Sequence, residues 1–227
     1  MGLAGERARA QRGSSNTKAG VSTPTLSIEG LSRSFGENLV VQSLDLALGP
    51  GERAALRGPN GSGKSTVLRC VAGTVEPSGG VVTVDGQRAG TLSARALVGS
   101  ALALERSFYA RLTGHANLRV FAGLRGAPRR AAMREVDALV EELELAEIAP
   151  RQVGECSTGM LQQLAFARTL LGEPRLVLLD EPTRSLDEGA TTRLWGALDR
   201  RPRLTVVIAT HRAHDVKRCG TRVDLPS

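Results

Sequence analysis

Nine residues limit what this chain can fold into more than any others: Gly58, Pro59, Asn60, Gly61, Ser62, Gly63, Lys64, Ser65 and Thr66. The three glycines let the backbone bend so that successive N–H groups face one point. An apolar strand pattern, RAALRG, precedes them. A helix pattern follows, with Val67, Leu68, Val71 and Ala72 on one face and Gly73 as its stop. A strand that turns through such a loop into a helix is an anion-binding device, because the N–H groups and the positive end of the helix dipole converge. Lys64 adds a point charge suited to β- and γ-phosphates, and Ser65 offers a hydroxyl to Mg²⁺. The expected fold class is therefore α/β around a P-loop NTPase core.

Composition narrows the partners. The chain has 227 residues, enough for one large domain with an inserted subdomain. Its 41% apolar residues support a core, but only 3% are aromatic, so Leu, Val, Ala and Ile must build it. The net charge of +7 is scattered, with short runs only at Arg129-Arg130 and Arg200-Arg201. No basic stripe alternates with aromatics, so direct nucleic-acid binding is not expected, and an anionic membrane surface explains the charge as well. Cys70, Cys156 and Cys219 lie far apart and suit a reducing compartment. No apolar run approaches the ~20 residues that cross a bilayer, and no hydrophobic segment follows the first charged residues as in a secretory signal.

Along the chain, residues 1–24 are rich in Gly, Ala, Ser and Arg without apolar period and read as a disordered basic tail. Residues 25–227 read as one domain. LSIEGLSRSF, LVVQSLDLAL and VVTVDG read as strands before and after the P-loop unit. From about residue 100 to 154 the strand signals fade. Met133, Val136, Val140 and Leu143 mark an amphipathic helix there, the expected helical subdomain. The parallel α/β pattern then resumes with LVLLD and LTVVIAT. There is no internal repeat.

The strand LVLLD delivers Asp180 to its carboxyl end, where ligands of parallel sheets sit. Asp180 can hold Mg²⁺ through water, and Glu181 can orient or deprotonate an attacking water. Upstream, Ser157-Thr158-Gly159 opens a helix, and Ser157 alone reads as an ordinary N-cap. His211 follows an apolar strand, a place where a single histidine is often structural. The order of these segments resembles the ATP-binding subunits of ABC transporters, most closely those of ABC-2-type exporters.

That resemblance implies an ABC ATPase fold: a P-loop core with a mixed central sheet, an N-terminal antiparallel β subdomain and an inserted helical subdomain. It implies that Asp180 and Glu181 form the Walker B end. Ser157 and Gly159 correspond to the signature motif, which would face the γ-phosphate held by a second subunit's P-loop. Ser185-Leu186-Asp187 corresponds to the D-loop, His211 to the switch histidine, and Phe35 to the aromatic that stacks on adenine. For Phe35 the residue pattern equally allows a core strand aromatic. ATP and Mg²⁺ are the implied cofactors, and a second ATP-binding subunit and a membrane permease the implied partners. The implied location is cytoplasmic, on the inner face of the membrane.

Cys156, Thr158 and Met160 depart from the family's signature, and Met160 lacks the usual amide. The glutamine expected before the helical subdomain is also missing. Leu104 or Glu105 falls in its place, and residues 107–112 are a candidate permease-docking surface. The alternatives are an ABC ATPase acting on nucleic acid or ribosomes, or a regulatory subunit with weak hydrolysis.

Overall fold

The computed structural model describes residues 10–12, 23–102 and 108–226. Two sheets organise them. The first is antiparallel, in the order β3-β2-β5-β6, from β2 (Leu26–Phe35), β3 (Asn38–Leu48), β5 (Gly79–Val84) and β6 (Gln87–Arg88). The second has the order β1-β10-β4-β9-β8-β7, from β1 (Ala10–Arg12), β10 (Thr221–Asp224), β4 (Arg53–Arg57), β9 (Thr205–Ala209), β8 (Leu176–Asp180) and β7 (Val98–Ala101). Every pairing in it is parallel except the one between β1 and β10. The expected mixed central sheet and antiparallel β subdomain are both present.

The central strands are apolar throughout because both faces of the sheet are covered. Ala54, Leu56, Leu176, Leu178, Val207 and Ala209 face a core shared with the antiparallel sheet and α1 (Lys64–Val71). Their neighbours Ala55, Val177, Leu179, Val206 and Ile208 face a second core. That core is built with α3 (Gly114–Leu124), α4 (Arg129–Glu142), α5 (Thr158–Leu170) and α6 (Glu188–Asp199). The alternation follows from side chains pointing to opposite faces in turn.

Within the expected helical stretch, Val136, Val140 and Leu143 are buried, whereas Met133 is 38% exposed. Thr113 caps α3 by accepting from the Ala116 N–H at 3.1 Å. At the end of α4, Glu142 accepts from Arg201 at 2.7 Å and from Arg200 at 3.0 Å. Those bonds hold its carboxyl below the usual carboxylate range and tie α4 to the segment after α6.

Several elements fall outside the sequence reading, among them α7 (Ala213–Lys217) and β10. Ala10–Arg12, inside the expected tail, pairs with β10, while the rest of residues 1–22 lies outside the described part. α2 (Leu92–Ala96) and β7 are short and carry weak patterns. β7 holds Gly99 because α5 crosses it closely: a Cβ there would lie 1.9 Å from the Thr169 carbonyl oxygen.

Gly99→Ala should therefore destabilise the protein by about 1–3 kcal/mol through overpacking. Gly123→Ala, in α3 with nothing within 4 Å of the added carbon, should instead stabilise it by roughly 0.5–1 kcal/mol. Denaturant midpoints of the two variants check this pair, and similar midpoints would contradict it.

Candidate functional site

Parallel register brings the motifs together. Leu56 on β4 and Asp180 on β8 both lie beside Ala209 of β9, which runs between them. The segments leaving those three strand ends are the Gly58–Thr66 loop, Asp180-Glu181, and Thr210-His211.

In the loop, Gly58, Gly61 and Gly63 have φ of 147°, 88° and 90°, which glycine adopts without strain. Two of them also lack space for a side chain. A Cβ on Gly58 would sit 2.5 Å from the Ser62 Oγ, and one on Gly63 would sit 2.8 Å from the Val40 carbonyl oxygen. Gly63 precedes α1 without a side-chain cap, so the first N–H groups of that helix are left for a ligand. The buried Ser62 Oγ also has no hydrogen-bond partner among the described residues. Lys64 is 9% exposed and donates through Nζ to the carbonyls of Gly58 and Pro59, both at 2.8 Å. Neutral partners leave its charge uncompensated. A ligand rich in anionic oxygens fits these groups. Asn60 is exposed and Thr66 half-buried in the first turn of α1.

Across from the loop, Ser65 Oγ donates to Asp180 Oδ2 at 2.6 Å. Burial pushes the Asp180 carboxyl above its ordinary value, and neighbouring Glu181 pushes the same way; Ser65 and Lys64 act against them. Glu181 is held in an uncommon backbone conformation, φ 46°, and its N–H donates to Ala209 at 2.8 Å. Its Oε1 lies 2.8 Å from His211 Nδ1. Gln162, a buried side chain of α5, donates to the carbonyls of Glu181 at 3.3 Å and Pro182 at 3.0 Å.

Ser157 caps α5, accepting from the Met160 N–H at 3.3 Å, and is exposed. A Cβ on Gly159 would come 2.6 Å from the Ser185 carbonyl oxygen, so the turn packs against the segment that leads to Asp187. Asp187 caps α6 through Ala190 at 2.7 Å. No hydrogen bond among the described residues joins Ser157, Gly159 or Asp187 to the loop. Met160 rests on the helical core, as do Leu161 and Leu186. Phe35 is 47% exposed, outside the core, with the Arg33 guanidinium 4.4 Å from its ring centre.

Leu104 and Glu105 lie outside the described residues. Beyond them, Tyr109 and Leu112 are exposed. Arg168 is 4.8 Å from the ring centres of both Phe108 and Phe121, and burial lowers its pKa to about 10. Sequence reasoning missed Asn117, fully buried, which donates to the carbonyls of Tyr109 and Thr113 at 3.0 Å and shapes this segment. It also missed Gln162, whose only sequence signal is an amide on an otherwise apolar helix face. Among the described residues no helix is long and apolar enough to cross a membrane.

Comparison with known proteins gives a consistent picture. The family described as "ABC transporter" matches residues 41–184. The "Nod factor export ATP-binding protein I" of Rhizobium sp. (strain N33) is 34% identical, covering 89% of this chain and 68% of that protein. The "ABC transporter ATP-binding protein NatA" of Bacillus subtilis (strain 168) is 36% identical over 65% of this chain and 61% of its own length. The chain spans 53% to 68% of the length of the first curated relatives it matches. A solved ATP binding subunit of an ABC transporter superposes with TM-score 0.79 and 26% identity, over 88% of this chain and 85% of the other. A dimeric bacterial ABC transporter cassette shares the fold, with TM-score 0.78 and 22% identity over 88% of this chain and 94% of the other.

Asp180 makes a pH-dependent prediction. Its carboxyl is raised in the folded state, so its contribution to stability is full below the ordinary carboxylate value and is lost as pH rises through the raised one. Asp180→Asn keeps a partner for Ser65 but removes the charge. Without added metal, its melting temperature should exceed the wild type's at neutral pH, and the gap should close in acid. A lower melting temperature at neutral pH would show the ionised carboxylate to be stabilising.

Proposed function

This chain belongs to the ABC transporter family, and on that premise we propose that it hydrolyses ATP with Mg²⁺ to power movement of a substrate through a separate membrane permease. Its sheets and helices have the architecture of the ATP-binding subunits of that family, and it is an ATP-binding subunit. Export is the direction favoured by the name of one relative, a Nod factor export protein. The same names speak against a role on nucleic acid or ribosomes. The observation that carries the reading is the row of three strand ends, where an anion loop, a Ser65–Asp180 pair and a Glu181–His211 pair face one place.

The roles follow from the chemistry. N–H groups of the loop and of the first turn of α1 bind phosphate oxygens, and Lys64 turns its charge to the β- and γ-phosphates. Ser65 and Asp180 are hard oxygen donors suited to Mg²⁺. When bound, the ion neutralises charge on the transferred phosphoryl group. Glu181, with one oxygen held by His211, orients the attacking water and accepts its proton. Phe35 offers an exposed ring to adenine.

Ser157 and Gly159 stand at the start of α5, with no hydrogen bond to the chain's own loop among the described residues, and complete a site on a second chain. A head-to-tail dimer follows, with Asp187 in the segment between the two nucleotides. ATP favours the closed pair because its γ-phosphate contacts both chains, and hydrolysis lets them open. Tyr109 and Leu112, exposed on the helical side, are where a permease would dock, and that partner holds the chain at the cytoplasmic face of the membrane.

Glu181→Gln should keep ATP affinity, lower turnover about a hundredfold or more, and accumulate a dimer in ATP, read by phosphate release and size-exclusion chromatography. Robust turnover by this variant would refute the role of Glu181. Lys64→Ala should weaken nucleotide binding by roughly tenfold or more, and unchanged affinity would overturn the loop assignment.

A further inference from the structure

The most deeply buried carboxylate near the site belongs to a residue with no role so far. Asp215, on α7 (Ala213–Lys217), is 0% exposed. A carboxylate at that depth is stable only with hydrogen bonds around it. Thr183 Oγ1 donates to Oδ2 at 2.5 Å, and the Trp195 indole N–H donates to Oδ1 at 3.3 Å. Thr210 Oγ1 lies 3.4 Å from Oδ2, and His214 Nδ1 3.5 Å from Oδ1.

The origin of these donors is informative. Thr183 is two residues after Glu181, and Thr210 directly precedes His211. Trp195 belongs to α6, the helix capped by Asp187. One carboxylate thus anchors the segments that carry Glu181, His211 and Asp187. Thr210 extends the chain into the site. Its hydroxyl, which accepts from the Arg212 N–H at 3.1 Å, also lies 3.5 Å from Glu181 Oε2. A hydroxyl has a single proton, so it donates to Asp215 or to Glu181 but not to both. Thr183 and Trp195 already serve Asp215, and Glu181 Oε2 has no donor but Thr210 among the described residues.

We propose that Thr210 is a positioning residue for hydrolysis: its hydroxyl donates to Glu181 Oε2, while Asp215, served by Thr183 and Trp195, anchors the segments that carry Thr210 and Glu181. His211 holds one oxygen of that carboxylate and Thr210 turns toward the other, so the group cannot rotate away from the water it activates. The inference rests on Glu181 being the acceptor of the water's proton.

The test uses the full chain with Mg²⁺ and ATP, with kcat and ATP affinity measured separately. Thr210→Val preserves shape and removes only the hydroxyl. It should lower kcat about tenfold or more while leaving ATP affinity within about twofold, and Thr210→Ser should restore the rate. In a Glu181→Gln background, single-turnover hydrolysis should show no further loss from Thr210→Val. Should Thr210→Val fail to fold, judged by circular dichroism, Thr183→Val loosens the Asp215 anchor two residues after Glu181 and should likewise lower kcat without changing ATP affinity. Wild-type kcat in a folded variant, an equal loss in the Glu181→Gln background, or failure of Thr210→Ser to rescue would overturn the proposal. If Glu181→Gln alone turned over like the wild type, the underlying assignment of Glu181 would fail instead.

Discussion

The parallel register of β4, β9 and β8 is the constraint on which the rest depends. Leu56, Ala209 and Asp180 stand side by side, so segments more than a hundred residues apart in sequence leave the sheet at one edge. A shift of one residue in any of these strands would turn its apolar side chains onto the wrong face. The alternating assignment of their side chains to two separate cores opposes such a shift. The geometry of the site is thus secured by packing on both sides of a sheet whose own residues are almost entirely aliphatic.

That rigidity allows the site to hold groups that would relax elsewhere. Glu181 sits at positive φ, a conformation costing of order 1–3 kcal/mol for a residue with a side chain. Its backbone is bound on both sides, by the Ala209 carbonyl and by the Gln162 amide. Beside it, Asp180 is half-buried, and its side-chain hydrogen bond among the described residues comes from the neutral Ser65 hydroxyl. Lys64 is engaged with loop carbonyls instead of either acid. Opposite charges stay apart across a few residues, an arrangement that a ligand carrying both negative oxygens and a metal would resolve.

How much of this was legible in the sequence depended on how local the cause was. The loop could be read because its glycines, lysine and following helix are consecutive. LVLLD and TVVIA could be read because strands covered on both faces are continuously apolar. Caps such as Ser157 and Thr113 act within three residues of themselves. Gln162 and Asp215, by contrast, work across 19 to 32 residues, and nothing in their immediate neighbours records the partner. The need for glycine at position 99 arises from α5, far along the chain, whose Thr169 carbonyl leaves no room for a side chain. Ala10–Arg12 has no apolar period of its own, since its backbone pairing with β10 needs none. Met160 read as the loss of an amide, yet its thioether packs on the helical core.

Trp195 has a consequence of another kind. It is the only tryptophan in the chain, and its indole N–H points at the Asp215 carboxylate. The excited state of an indole is sensitive to a charge at that distance. Arg53 and Arg218 approach the same ring, 6.0 Å and 5.5 Å from its centre. The chain therefore carries a native optical reporter, buried beside the carboxylate that Thr183 and Thr210 also approach, whose emission colour and intensity follow the local field without any label being attached.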